Sequence, residues 1–124
     1  MTDISLTQSH LSIGDFKFKF DSGKDVKTNK SSPHNFILMK NKKLVDLYID
    51  TFKDNKIDNI FELGIRRGGS VAFYNLAFRP SRHTAIDLSI DIVSALKDVI
   101  ELAKAEKRSL STHYGVDQAN RSRV

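Results

Sequence analysis

The residues best suited to chemistry lie in one stretch, Glu62-Leu63-Gly64-Ile65-Arg66-Arg67-Gly68-Gly69-Ser70. Glycine admits left-handed dihedrals and lets a ligand come close to the backbone. A glycine-containing loop that opens a helix also points free N–H groups at whatever binds there. A dinucleotide site would use Gly-x-Gly-x-x-Gly to seat a pyrophosphate. Here the second glycine is missing, and Ile65, Arg66 and Arg67 follow Gly64. The loop therefore suits a ligand without a pyrophosphate. Glu62 can orient the loop backbone, meet an ammonium group, or pair with Arg66 or Arg67. The two arginines can contact a carboxylate or simply stand in solvent. Further along, Asp87 offers two acceptor oxygens that suit paired ribose hydroxyls, with an N-cap or a solvent-facing carboxylate as the plain alternative.

These residues need elements to hold them. Ile57–Leu63 reads as a strand running into the loop, and Ser70–Phe78 as the helix after it, stopped near Pro80. His83–Leu88 is a second strand ending near Asp87, and Ser111–Val116 a third, followed by Asp117 and Gln118. Between them, Ser89 is expected to cap a helix whose stripe is Ile92, Val93, Leu96, Val99, Ile100 and Ala103. Upstream, Ser32-Pro33 resembles a helix start, with an apolar stripe at Ile37, Leu44, Val45, Tyr48, Ile49 and Phe52. The order helix, strand, helix, strand, helix, strand predicts an α/β fold with a short parallel sheet. Ligands of such sheets bind beyond the carboxyl ends of the strands, where the loop, Asp87 and Asp117 all fall.

Residues 1–32 form a polar N-terminal extension with one short strand, Phe16-Lys17-Phe18-Lys19-Phe20, which alternates aromatic and basic. An aromatic and basic face can stack single-stranded nucleic acid, but the same alternation describes an ordinary half-buried strand. The net charge of +5 comes from scattered lysines and arginines interleaved with 15 acidic residues, which does not make a nucleic-acid footprint. The chain has no cysteine, which excludes disulfides and thiolate metal sites. The four histidines show no ligand spacing, so no metal is expected. The first residues lack a signal-peptide pattern and no apolar run is long enough for a bilayer, so a cytoplasmic protein with no membrane partner is expected.

The loop resembles motif I of class I S-adenosylmethionine (SAM) dependent methyltransferases. It is most similar to the cephalosporin-hydroxylase-like and sugar O-methyltransferase branch, where a hydrophobic-Glu-hydrophobic-Gly strand end leads into Gly-Gly-Ser and a helix. Ala85-Ile86-Asp87 is similar to that family's second-strand acid, and Asp117-Gln118 to its Gly-Asp-Gln, although Val116 here separates Gly115 from Asp117. The resemblance runs from about Ser32 to Asn120. It implies that Glu62, Gly64, Arg66, Gly68, Gly69 and Ser70 surround the methionine part of SAM. Asp87 would then hold the ribose, and Asp117 and Gln118 would lie near the adenine. It also implies that residues 33–124 are the N-terminal half of a Rossmann-like three-layer αβα domain, truncated after the third strand, acting on an unassigned small-molecule or sugar acceptor. The alternatives are a non-catalytic binding module derived from that fold and a small basic nucleic-acid-binding protein. Cutting the domain there turns its first strand into an exposed sheet edge. A fragment, a homo-oligomer joined at that edge, or cover from the Phe16–Phe20 strand are the expected consequences.

Overall fold

The computed structural model describes residues 3–21 and 31–117. The chain opens with β1 (Ile4–Leu6), β2 (His10–Ile13) and β3 (Phe16–Phe20), which form an antiparallel meander. A two-residue turn joins β2 to β3, and Gly14 takes its positive φ of 56°. The alternation of β3 works as its spacing dictates: Phe16 and Phe18 are buried while Lys17 and Lys19 face solvent. With their rings in the core, Phe16 and Phe18 are not a surface on which bases could stack.

β4 (Asn35–Leu38) adds to β3 in parallel and completes a four-stranded mixed sheet, with Phe18 stacked on Phe36 at 5.5 Å between ring centroids. This corrects the expected helix start at Ser32-Pro33. Ser32 bridges to Asn35 instead, and His34 turns the chain at φ 64°. Phe36 and Leu38 are two residues apart and both buried, the spacing of a strand facing a core. The helix α1 (Lys42–Phe52) starts later, at Asn41, whose side-chain oxygen accepts from the Leu44 amide at 2.9 Å. From there the expected stripe holds: Val45 is buried, Tyr48 meets Tyr74, and Phe52 meets Phe78.

The second sheet is parallel, in the order β5 (Asn59–Leu63), β6 (Arg82–Asp87), β7 (Ser109–Tyr114). The crossovers carry α2 (Gly69–Phe78) and α3 (Lys97–Ala105). The α/β alternation read from the sequence is therefore present from α1 onward. The segment after β6 differs from expectation. Ser89 does not cap a helix: its hydroxyl accepts from the Asp91 amide at 3.1 Å, and the chain stays irregular until a 3-10 turn at Ser94–Leu96. Ile92 falls outside the apolar stripe and is 75% exposed, whereas Leu96, Val99 and Ala103 are buried.

Helix α2 lies between the two sheets, which is why it is apolar on every side. Gly69, at its start, sits against the backbone of Ile37 and Leu38 in β4. Asn75, further along, reaches His83 in β6. One buried cluster joins Leu11, Phe18 and Phe36 of the mixed sheet, Phe73 and Leu76 of α2, and Ala85 and Leu110 of the parallel sheet. The outer face of the parallel sheet is open along β5, where Phe61 and Leu63 are 58% and 60% exposed. The Phe16–Phe20 strand does not cover the β5 edge, because it pairs with β2 and β4. Among the described residues no helix is long and apolar enough to cross a membrane.

Candidate functional site

The loop between β5 and α2 is built by backbone geometry. Gly64 takes φ 96° while its amide donates to the Ile86 carbonyl at 2.7 Å, which extends the β5–β6 ladder by one bond. Arg66 and Gly68 follow at φ 52° and 82°. The Gly68 amide closes a turn onto the Ile65 carbonyl at 2.8 Å, and the Gly68 carbonyl accepts the Ala72 amide as α2 begins. No side chain caps this helix start. Beside it lies a cavity of about 210 Å³, walled by Gly64, Ile65, Arg66, Gly69 and Ser70 on one side and by Met39 and Lys40 on the other.

Met39 and Lys40 line the cavity without a signal of their own in the sequence, because Ile37 is in register with the helical stripe and hides the strand before them. Lys40 places its ammonium over the rings of Tyr48 and Tyr74, at 5.5 and 5.8 Å from their centroids. Burial, the hydrogen bond with Tyr48 and the charge of Glu62 push the Tyr74 hydroxyl well above its ordinary range. Arg67 reaches across the cavity wall to the Met39 sulfur at 3.8 Å.

Asp87, at the end of β6, holds the loop from beneath. Its Oδ2 accepts from the amides of Ile65 and Arg66 at 2.7 and 2.9 Å, and its Oδ1 accepts from the Ser89 amide at 2.9 Å. Burial works against its charge, but the amides of Arg66, Ser89 and Ile65 and the Arg66 guanidinium outweigh it and hold the carboxyl below its ordinary value. A carboxylate has about four acceptor positions, so the described bonds leave one, on Oδ1. A bidentate grip on two hydroxyls would have to displace a loop amide.

The remaining expected residues divide. Gly64, Arg66, Gly69 and Ser70 meet at the cavity. Gly68 stands behind it, and a Cβ there would lie 3.0 Å from the side chains of Leu96 and Val93. Gly69 owes its lack of a side chain to packing: a Cβ would come within 2.0 Å of the Ile37 carbonyl oxygen. Glu62 points away from the cavity toward His83, whose Nε2 is 3.4 Å from Glu62 Oε2. Asp117 is exposed beyond β7, at the same carboxyl end of the sheet as Asp87, because the Val116 amide donates to the Asp87 carbonyl at 2.9 Å. Gln118 lies outside the described residues. Among the described residues, no group of three or more His, Asp or Glu side chains could hold a metal ion.

Comparison of the chain with protein-family models, with curated proteins and with solved structures finds no match.

Proposed function

We propose that this chain is the cofactor-binding half of a Rossmann-like, SAM-dependent methyltransferase that acts on a small-molecule or sugar hydroxyl. The observation that carries the proposal is the meeting of two features at the carboxyl end of the parallel sheet. The Gly64–Ser70 loop opens an uncapped helix onto a cavity, and Asp87 on the neighbouring strand binds the amides of that same loop. Ligands of parallel α/β sheets bind at this place.

The residues fit one end of the cofactor well. The amides that begin α2, with Arg66 and Lys40 beside them, suit the carboxylate of its methionine part. A cavity of about 210 Å³ is smaller than the ~300–1,000 Å³ of a complete small-molecule site, so it takes an amino-acid-sized piece and leaves the adenosine on the surface. There Asp87 Oδ1 can accept one ribose hydroxyl. Leu88 and Ile90, 66% and 80% exposed, offer apolar surface for the purine. Bound SAM would supply an electrophilic methyl group on its sulfonium. The described residues would orient that group, which is the protein's main contribution to an in-line transfer. The open face of β5 supports the half-domain reading, since parallel sheets are ordinarily covered on both faces.

Isothermal titration of the folded protein with SAM and with S-adenosylhomocysteine tests the proposal. Saturable binding of both, weak because only part of the pocket is built, is expected. An absence of heat at millimolar ligand would refute it.

A further inference from the structure

We propose that Arg108, Asn75 and His83 form a one-way hydrogen-bond chain that holds His83 in its Nε2–H tautomer and fixes the Glu62 carboxylate as the acceptor at its end. His83 is then a positioning residue for the strand end from which the candidate loop springs. The structure of the chain stands on its own, and only its consequence for ligand binding rests on the function proposed above.

The direction follows from donor and acceptor chemistry. Arginine only donates. Arg108 is itself held, with Nη2 and Nε donating to Glu106 Oε1 at 2.7 and 3.1 Å, and Arg79 also pairs with Glu106. The Arg108 Nη1 is 3.1 Å from Asn75 Oδ1 and 3.3 Å from the Pro80 carbonyl. The Asn75 amide therefore turns its oxygen to Arg108, because the reverse orientation would set its NH₂ group against the guanidinium. Its nitrogen then faces His83 Nδ1 at 3.2 Å. That nitrogen is a donor, so Nδ1 must be the bare ring nitrogen. The proton of the neutral imidazole sits on Nε2, 3.4 Å from Glu62 Oε2.

Burial enforces this order. Asn75 and His83 are both fully buried, so water does not substitute for a misdirected bond. Strand register places Ile60 and Leu110 on either side of His83, and neither offers a polar side chain. Glu62 is thereby held two residues before Gly64 by a network that begins at the opposite end of the sheet, at Arg108. The lone histidine at the start of β6 shows no ligand spacing in the sequence. Its role emerges only when α2 brings Asn75 beside it.

The test is nuclear magnetic resonance of the full chain labelled with nitrogen-15, reading both His83 ring nitrogens through long-range proton–nitrogen correlations with no ligand present. The expected pattern in the unaltered protein is a protonated Nε2 and a bare Nδ1. A protonated Nδ1 would overturn the proposal, and this measurement stands whether or not any variant folds. Asn75→Asp replaces the donor by an acceptor, and Nδ1 is expected to acquire a proton. Arg108→Met frees the amide to turn over, and a mixture of tautomers is expected. An unchanged ring in both folded variants would contradict the chain. Titration with S-adenosylhomocysteine then reads the consequence: affinity about tenfold weaker in Asn75→Asp supports positioning of the loop, and equal affinity overturns it. Failure of the unaltered protein to bind would remove the cofactor proposal, while the ligand-free tautomer measurement would still decide the chain.

Discussion

Oδ2 of Asp87 lies 2.7 Å from the amide nitrogen of Ile65, across 22 residues of sequence. This bond ties the end of β6 to the loop after β5, and the Arg66 and Ser89 amides complete the cradle around the carboxylate. Replacing Asp87 by Asn would put an NH₂ donor against one set of amides. Loss of about 1–3 kcal/mol of stability is expected in urea unfolding, the cost of leaving such amides unpaired. A loss below a few tenths would mean that the loop holds itself.

The same carboxylate predicts an acid response. Asp87 and Glu106 both titrate below their ordinary values in the folded chain, Glu106 because Arg108 and Arg79 outweigh its burial. A depressed folded value stabilises above the unfolded pKa, about 3.9 for Asp and 4.3 for Glu. That stability is lost as the pH falls through the folded value. Unfolding free energy should therefore decline below about pH 4, and less steeply in Asp87→Asn. Parallel acid curves for the two proteins would contradict this account of Asp87.

Two glycines of the loop should respond differently to alanine. At Gly69 a Cβ would meet the Ile37 carbonyl oxygen at 2.0 Å, so β4 or α2 must shift. A cost of about 3 kcal/mol or more is expected, the upper range for overpacking. At Gly64 nothing lies within 4 Å, and only the φ of 96° resists. There the cost should be about 1–2 kcal/mol. Thermal melts of both variants decide it, and equal losses would show that the β4–α2 contact is not the constraint.

The open side of β5 predicts association. Phe61 and Leu63 are exposed on a strand at the edge of the parallel sheet, a place where chains pair. Light scattering should show mass rising with concentration, and Phe61→Lys should suppress the rise with a stability change within about 0.5 kcal/mol. A monomer at every concentration in both proteins would contradict this.

The β5–α2–β6 unit was legible because its apolar runs are punctuated by Gly64, Gly68 and Pro80. β4 was not. Its four residues lie just before a genuine helical stripe, and Ile37 falls in register with that stripe, so Phe36 and Leu38 lost their strand signature. Without β4 there is no reason to see Gly69 as a packing glycine, nor Met39 and Lys40 as a wall. After β6, Ile92 stands four and seven residues before Leu96 and Val99, in helical register with them, yet it faces solvent, and the Ser89 hydroxyl closes a local turn instead of capping a helix. His83 and Asn75 are eight residues apart on different elements, and only the crossover brings them together.

We propose that the loop after β5 binds the methionine end of SAM. The most direct test is a titration of nitrogen-15-labelled protein with S-adenosylhomocysteine, followed through the backbone amides. The amides of Gly64, Arg66, Gly69 and Ser70 should shift together along one saturable curve, with smaller shifts at Ser89 and none in β1–β3. Shifts absent from these four amides at saturating ligand, or spread without preference over the surface, would contradict the claim.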